Sequence, residues 1–78
     1  MAVLLKHHDK DLYVKNIVWA DGKVEFTEKT GDAKHYSNDW FANAEKSQLQ
    51  HYCELSYEDG GLAEDYSDII PNLVVHFT

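Results

Sequence analysis

Apolar and polar residues alternate most clearly over residues 11–30, and this alternation predicts a β-hairpin. β-Branched and aromatic residues are frequent in its first half, Asp21-Gly22 is typical of a two-residue turn, and the alternation resumes at Lys23. A two-residue turn fixes the register of the two strands. The predicted pairs are Ala20 with Lys23, Trp19 with Val24, Ile17 with Phe26, Lys15 with Glu28, and Tyr13 with Thr30. The large apolar residues Trp19, Ile17, Val24 and Phe26 would then share one face.

Further strands are predicted on both sides of this hairpin. Ala2 to His7 contains an apolar run that we expect to pair at an edge of the sheet. Gly31-Asp32 is a second turn signal, after which residues 33–37 could return as a short third strand. Ile69-Ile70-Pro71 marks a break, and residues 72–77 are predicted to form a closing strand.

A helix is predicted from Trp40 to about Ser56. Ser, Asn and Asp at positions 37–39 are all good N-cap residues, and Gly60-Gly61 would end the element. The residues expected on its buried stripe are Phe41, Ala44, Leu49, Tyr52 and Leu55. The predicted fold is therefore a single α+β domain over residues 1–78, a small antiparallel sheet of three to five strands with one helix packed on one face.

Charge is the most informative bulk property of the chain. Fourteen acids and seven lysines give a net charge of −7, and arginine is absent. Residues 1–38 contain six acids and six lysines, whereas residues 39–78 contain eight acids and one lysine, so the whole excess lies in the second half. The absence of arginine, the preferred residue for phosphate recognition, argues against direct binding to nucleic acid.

The distribution of cysteine and of apolar residues bears on the compartment. A single cysteine, Cys53, rules out an internal disulfide. The apolar run at residues 2–5 is shorter than a signal peptide requires, and no run approaches the roughly 20 residues that span a bilayer. We therefore expect a cytoplasmic protein without a membrane partner. A chain this short buries only about 60% of the surface that its unfolded form exposes, so a homodimer is one way to cover the remaining apolar area.

The stretch from residue 54 to residue 68 combines six acids with two tyrosines and has no basic residue. The candidate partner-binding residues are Glu54, Tyr57, Glu58, Asp59, Glu64, Asp65, Tyr66 and Asp68. One interpretation is a solvated surface that prevents aggregation. However, acids at the C-terminal end of a helix oppose its dipole, and Glu54 and Glu58 are a like-charged i,i+4 pair, so helix stability does not favour this pattern. The other interpretation is a surface that binds a basic protein.

Three groups of residues are candidates for a chemical site. His51 and Cys53 would diverge on a helix, which disfavours a catalytic pair. In a strand His7 and His8 would point to opposite faces and could not share a metal ion. His7, Asp9 and Asp11 could lie on one side only if the strand continued to Asp11, and a strand that ends near His8 leaves too few ligands for a tight site. The acids that follow Asp59-Gly60-Gly61 lack the pattern of an EF-hand loop. No specific catalytic motif is present, so we expect no metal, no cofactor and no enzymatic activity.

The predicted function is therefore a small acidic protein-binding module. The more specific hypothesis is that the module is a DNA-mimic-like inhibitor of a nucleic-acid-binding protein or nuclease complex, of the kind that phages and mobile elements use against host defence. The basis for this hypothesis is the small size, the charge of −7 confined to one half and the missing arginine. The alternative is a non-catalytic structural or oligomeric accessory subunit whose acidity maintains solubility. Trp19 and Trp40 are both expected in the core, although an exposed tryptophan at the start of the helix would be a reasonable interface anchor.

Overall fold

A computed structural model describes residues 2–78 and shows a four-stranded antiparallel sheet with one helix, which confirms the predicted α+β class. The elements are β1 (Val3–His7), β2 (Tyr13–Val18), β3 (Lys23–Thr27), α1 (Asp39–Cys53) and β4 (Leu73–Phe77). The strand order is β3-β2-β1-β4, so the chain returns through α1 to place its last strand beside its first, as in a Greek key. No helix within residues 2–78 is long and apolar enough to cross a membrane.

β1 lies in the interior of the sheet, and the prediction of an edge strand is wrong. It pairs with β4 along its whole length, from Val3 opposite Phe77 to His7 opposite Leu73, and its other side pairs with β2. Its consecutive leucines, at positions 4 and 5, point to opposite faces of the sheet, and both are fully buried. The sheet is therefore covered on both faces along this strand.

The β2–β3 hairpin is confirmed, but its predicted register is wrong. The connection has four residues, a 3₁₀ turn over Trp19–Asp21 followed by Gly22, so Val18 rather than Ala20 lies opposite Lys23. The observed pairs are Tyr13 with Thr27, Val14 with Phe26, Asn16 with Glu25, Ile17 with Val24, and Val18 with Lys23. An irregularity at position 15 shifts the pairing by one residue, and this shift brings Val14 and Ile17 into the same core cluster.

The predicted third strand at residues 33–37 is also wrong, because this segment bridges two strands instead of extending the sheet. β1 and β2 pair at only one register position and then diverge. The segment fills the gap: the amide of Lys34 donates to the carbonyl of Val14 and the amide of Tyr36 to the carbonyl of Val3, each at 2.9 Å. The sheet therefore contains an inserted, irregular segment rather than a fifth strand.

Glu45 ties α1 to this inserted segment. One of its carboxylate oxygens accepts hydrogen bonds from the Tyr36 hydroxyl at 2.6 Å and from the Lys34 ammonium at 2.7 Å. Burial raises the pKa of Tyr36, and the hydrogen bond and negative charge of Glu45 raise it further, so the phenol remains a donor at neutral pH. These contacts fix the first half of the helix on the sheet.

The start of α1 agrees with the prediction, and its end does not. Asn38 is the N-cap, and its side-chain oxygen accepts a hydrogen bond from the amide of Phe41 at 3.1 Å. The helix ends at Cys53 with Glu54 as C-cap, whereas the prediction extended it to about Ser56. The acids that follow Glu54 are therefore outside the helix.

The buried face of α1 is displaced from the predicted stripe in its first half. Ala42 and Leu49 are fully buried, whereas Phe41 is 49% exposed and Ala44 is exposed. Tyr52, which the predicted buried stripe includes, packs against the core near the end of the helix. Residues 42, 49 and 52 follow the i, i+7 and i+10 spacing of a single helical face.

Replacing Leu49 by alanine should lower the free energy of unfolding by about 2–5 kcal/mol, because the side chain is fully buried. Phe41→Ala is the matched control, since it removes a larger apolar side chain from the predicted stripe but one that is half exposed, and we expect a loss below about 1 kcal/mol. Urea denaturation monitored by tryptophan fluorescence measures both values. Equal losses for the two variants would contradict the observed helix face.

Candidate partner-binding site

The residues predicted to bind a partner lie in the connection between α1 and β4, and residues 54–68 are called the acidic segment below. Seven of the predicted side chains are exposed: Glu54, Tyr57, Glu58, Asp59, Glu64, Asp65 and Asp68. Apart from a 3₁₀ turn over Tyr57–Asp59 the segment is irregular. The helical spacing expected between Glu54 and Glu58 is therefore not present, because α1 has already ended.

Tyr66, the eighth predicted residue, holds the acidic segment on the sheet. Its ring is buried in the core with Leu62, and its hydroxyl accepts a hydrogen bond from the amide of Val24 at 3.1 Å. Nearby, the amide of Ala63 donates to the carbonyl of Gly22 at 2.7 Å. Gly22 has a φ of 63°, and a Cβ there would lie 2.8 Å from the Ala63 nitrogen, so this close approach requires glycine. Tyr66 is therefore an anchor of the segment and is not available as a contact residue.

The first half of the acidic segment is a tight turn. The Ser56 carbonyl accepts a hydrogen bond from the amide of Gly61 at 2.8 Å, and the Ser56 hydroxyl donates to the Asp59 carboxylate at 2.9 Å. A Cβ on Gly61 would overlap the carbonyl of Leu55, so only glycine permits this chain path. The turn holds the carboxylate of Asp59 near the end of the helix.

The carboxylates of the segment are not neutralised by the chain itself. Within residues 2–78, Lys34 forms an ion pair with Glu45, and the imidazole rings of His7 and His8 lie close to the carboxylate of Asp9; no such contact includes an acid of the segment. Hydrogen bonds from Ser67 hold the pKa of Asp65 below its usual range, which keeps that carboxylate ionised. The segment therefore presents unpaired negative charge to solvent.

Cys53 is a partly buried free thiol at the end of α1. Burial raises the pKa of its thiol, and the negative charges of Asp65 and Glu54 raise it further. A raised pKa is the opposite of what a nucleophilic cysteine needs, and the ring of His51 packs edge-on against Tyr52 with centroids 5.6 Å apart. Neither observation is typical of a catalytic Cys–His pair.

An open cleft of about 250 Å³ adjoins the acidic segment. Trp19 and Tyr52, whose rings meet edge-to-face with centroids 5.6 Å apart, line one part of it, and the backbone of Gly22 and of Gly60-Gly61 lines another. Trp19 is 41% exposed because it lies in the hairpin loop, whereas the predicted register placed it on the core face. Sequence reasoning missed the cleft because its walls come from the hairpin loop, α1 and the acidic segment.

The expectation that His7 and His8 diverge is wrong. β1 ends at His7 and the chain bends at once, so the two imidazole rings stack with centroids 4.9 Å apart. Potential ligand atoms of His7, His8 and Asp9 lie within 4.8 Å of one another. Asp11 is exposed and is not part of this group. Elsewhere in the described part of the chain, the acids that follow Gly60-Gly61 form no comparable group.

No family model matches this chain, and no curated protein or solved structure matches it. Its function must therefore be inferred from the residues and the geometry described above.

Removing the Tyr66 hydroxyl should destabilise the protein by about 1–3 kcal/mol, because Tyr66→Phe leaves the amide of Val24 without its acceptor. Tyr57→Phe is the matched control: that side chain is 62% exposed, and we expect a change within about 0.5 kcal/mol. Chemical denaturation of both variants gives the comparison. If Tyr66→Phe were as stable as the wild type, the hydrogen bond would not be an anchor of the segment.

Thiol labelling tests whether the charges of Asp65 and Glu54 act on the Cys53 thiol. Since burial and the charges of Asp65 and Glu54 raise its pKa, little thiolate exists near neutral pH and labelling by a thiol reagent should be slow, rising with pH. Asp65→Asn removes one of these charges, so it should lower the pKa and speed labelling at a fixed pH below it. Glu28→Gln serves as the control, because Glu28 is an exposed acid that directly follows β3, at the end of the hairpin opposite its loop. Identical rates for the two variants would mean that Asp65 is not near the thiol.

Proposed function

We propose that this chain is a small protein-binding module whose acidic segment contacts a basic surface of another protein. The observation that supports this most directly is that six exposed carboxylates of the segment have no cationic partner within residues 2–78. Like charges held together disfavour the folded chain on its own, and a cationic surface that covers them removes this cost. The charge pattern is therefore better suited to binding than to stability.

The anchoring of the segment supports the same proposal. Because Leu62 and Tyr66 are buried and Ala63 is hydrogen-bonded to the hairpin loop, the backbone that bears the exposed acids is ordered before a partner binds. A preordered surface loses less conformational entropy on binding than a solvated tail does. Tyr57 adds an exposed aromatic ring, a side chain that is frequent at binding hot spots.

The cleft beside the segment fits a basic side chain of the partner. Two aromatic residues, Trp19 and Tyr52, are among the residues that line it, and an aromatic ring that stacks on a lysine or arginine contributes about 0.5–2 kcal/mol. Asp21 and Asp59 directly precede two of the lining glycines in sequence, and both are exposed. A cationic side chain entering the cleft would therefore meet aromatic rings in an acidic part of the chain.

The specific form that we favour is an inhibitor that covers the nucleic-acid-binding surface of a protein or nuclease complex, as small DNA-mimicking proteins of phages and mobile elements do. Such surfaces are strongly basic, and a chain with a net charge of −7 and no arginine complements them without binding nucleic acid itself. Since the acids lie on an irregular segment, the likeness to DNA would be one of charge density and not of a regular phosphate ladder.

Capture from a bacterial lysate at about 50 mM and about 500 mM salt tests the proposal, because electrostatic binding of this kind weakens steeply with salt. We expect a nucleic-acid-binding protein to be retained at low salt and lost at high salt. A variant that neutralises Glu54, Glu58, Glu64 and Asp65 with glutamine or asparagine should lose the partner at both salt concentrations.

The control variant carries the same change in net charge at exposed acids outside the segment: Asp11, Glu25, Glu28 and Asp32. It should retain the partner at low salt. If the two variants bind equally, the net charge of the chain matters and the acidic segment is not the contact surface.

An accessory subunit is the second candidate, favoured by an exposed aromatic pair at the start of α1. Trp40 is 68% exposed and Phe41 49%, with ring centroids 5.0 Å apart, and the pair lies about 20 Å along the helix from the acidic segment. An interface built on this pair would tolerate high salt and be lost in Trp40→Ala. A salt-resistant partner, or a self-associated chain, that survives neutralisation of the acidic segment would favour this function.

A further inference from the structure

The turn that follows β1 gathers three side chains capable of binding a metal ion, and it adjoins the end of the acidic segment at Asp68. His7 Nδ1 lies 2.8 Å from one carboxylate oxygen of Asp9, and His8 Nε2 lies 3.7 Å from the other. One potential ligand atom from each of the three lies within 4.8 Å of the other two. His7 is 3% exposed, whereas His8 and Asp9 face solvent. The group is thus a buried imidazole with two solvent-exposed neighbours.

The ring of His7 faces an oxygen atom at each of its nitrogens. Nε2 lies 3.3 Å from the backbone carbonyl of Asp68, and because a carbonyl can only accept, Nε2 carries the hydrogen. Nδ1 lies 3.3 Å from the amide nitrogen of Asp9 and 2.8 Å from one of its carboxylate oxygens. A proton on Nδ1 or a metal ion between the two side chains would join this nitrogen to the carboxylate.

The contact with Asp68 orients the His7 ring so that Nδ1 faces Asp9. Histidines that ligate metals commonly donate their other ring N–H to a backbone carbonyl, which fixes the tautomer and orients the ring. We propose that His7 Nδ1, a ring nitrogen of His8 and a carboxylate oxygen of Asp9 form a binding site for a divalent transition-metal ion, of which zinc is the natural probe. The site does not depend on the proposed partner-binding function.

Zinc binding requires the exposed side chains of the group to move inward. Zinc takes imidazole nitrogen and carboxylate oxygen ligands at about 2.0–2.2 Å, so two ligand atoms on a tetrahedral ion are about 3.3 Å apart. The separations of 2.8 Å from His7 Nδ1 and 3.7 Å from His8 Nε2 are to different oxygens of Asp9, and one ligand atom from each residue lies within 4.8 Å of the others, so the exposed side chains of His8 and Asp9 would close on the ion. Water would occupy the fourth position. Two imidazoles with one carboxylate favour zinc over magnesium or calcium, which prefer oxygen ligands.

A neighbouring cation moderates the expected affinity. The ammonium of Lys6 donates to the carbonyl of His7 at 3.0 Å, so one positive charge is held near the site. With three protein ligands and this repulsion, we expect a dissociation constant on the order of 1–10 µM for zinc rather than a nanomolar value.

Calorimetric titration of the chelator-treated, tag-free protein with zinc chloride tests the proposal. We expect one ion per chain, and we expect His8→Ala and Asp9→Asn to weaken binding by about tenfold or more. Matched controls are His51→Ala and Asp11→Asn, an exposed histidine and an exposed aspartate outside the group, which should bind as the wild type does. Absence of saturable binding below about 1 mM zinc, or equal losses in the test and control variants, would overturn the proposal.

NMR detection of the imidazole nitrogens tests the role of His7 without mutating a buried residue. On adding zinc, Nδ1 of His7 should take the chemical shift of a metal-bound nitrogen while Nε2 keeps its hydrogen. A His7 ring that stays unchanged at saturating zinc, or that carries hydrogen on both nitrogens there, would show that no metal ion lies between His7 and Asp9.

Discussion

The structure depends on how the chain returns from the end of α1 to pair β4 with the central strand. Leu62, Tyr66 and Ile70, spaced four residues apart, enter the core and fix the path of this return. Burial of each contributes roughly 1.5–3 kcal/mol. The three acids that lie between these buried residues, Glu64, Asp65 and Asp68, are all exposed. Core packing and surface charge are thus set by the same segment.

Stability alone does not account for the composition of that segment. Its carboxylates repel one another, lack cationic partners among the described residues and follow directly on the C-terminal end of α1, where negative charge is unfavourable. The fold accommodates this cost by anchoring the segment at Tyr66 and Ala63. An anchored surface with unneutralised charge is the physical basis for proposing a basic protein as its partner.

Short-range sequence signals predicted individual caps, turns and strands, whereas features that depend on contacts between distant residues were not predicted. The cap at Asn38, the hairpin around Gly22 and the closing strand at β4 each have short-range signatures, and all three are present. The central position of β1 was missed because its partner β4 lies at the other end of the chain. The register was missed because the hairpin loop has four residues. Likewise, burial of Tyr66 and convergence of His7 with its neighbours depend on packing and on where a strand ends, which composition and spacing do not specify.

Hydrogen exchange at the amide of Ala63 tests most directly whether the acidic segment is a fixed surface. This amide donates to the carbonyl of Gly22 at 2.7 Å and joins the middle of the segment to the hairpin loop. If the segment is anchored as described, the opening free energy of Ala63 should lie within about 1–2 kcal/mol of the slowest amides of the sheet. An exchange rate close to that of an unstructured peptide would contradict the account, because the acids would then lie on a solvated tail and not on a preordered binding surface.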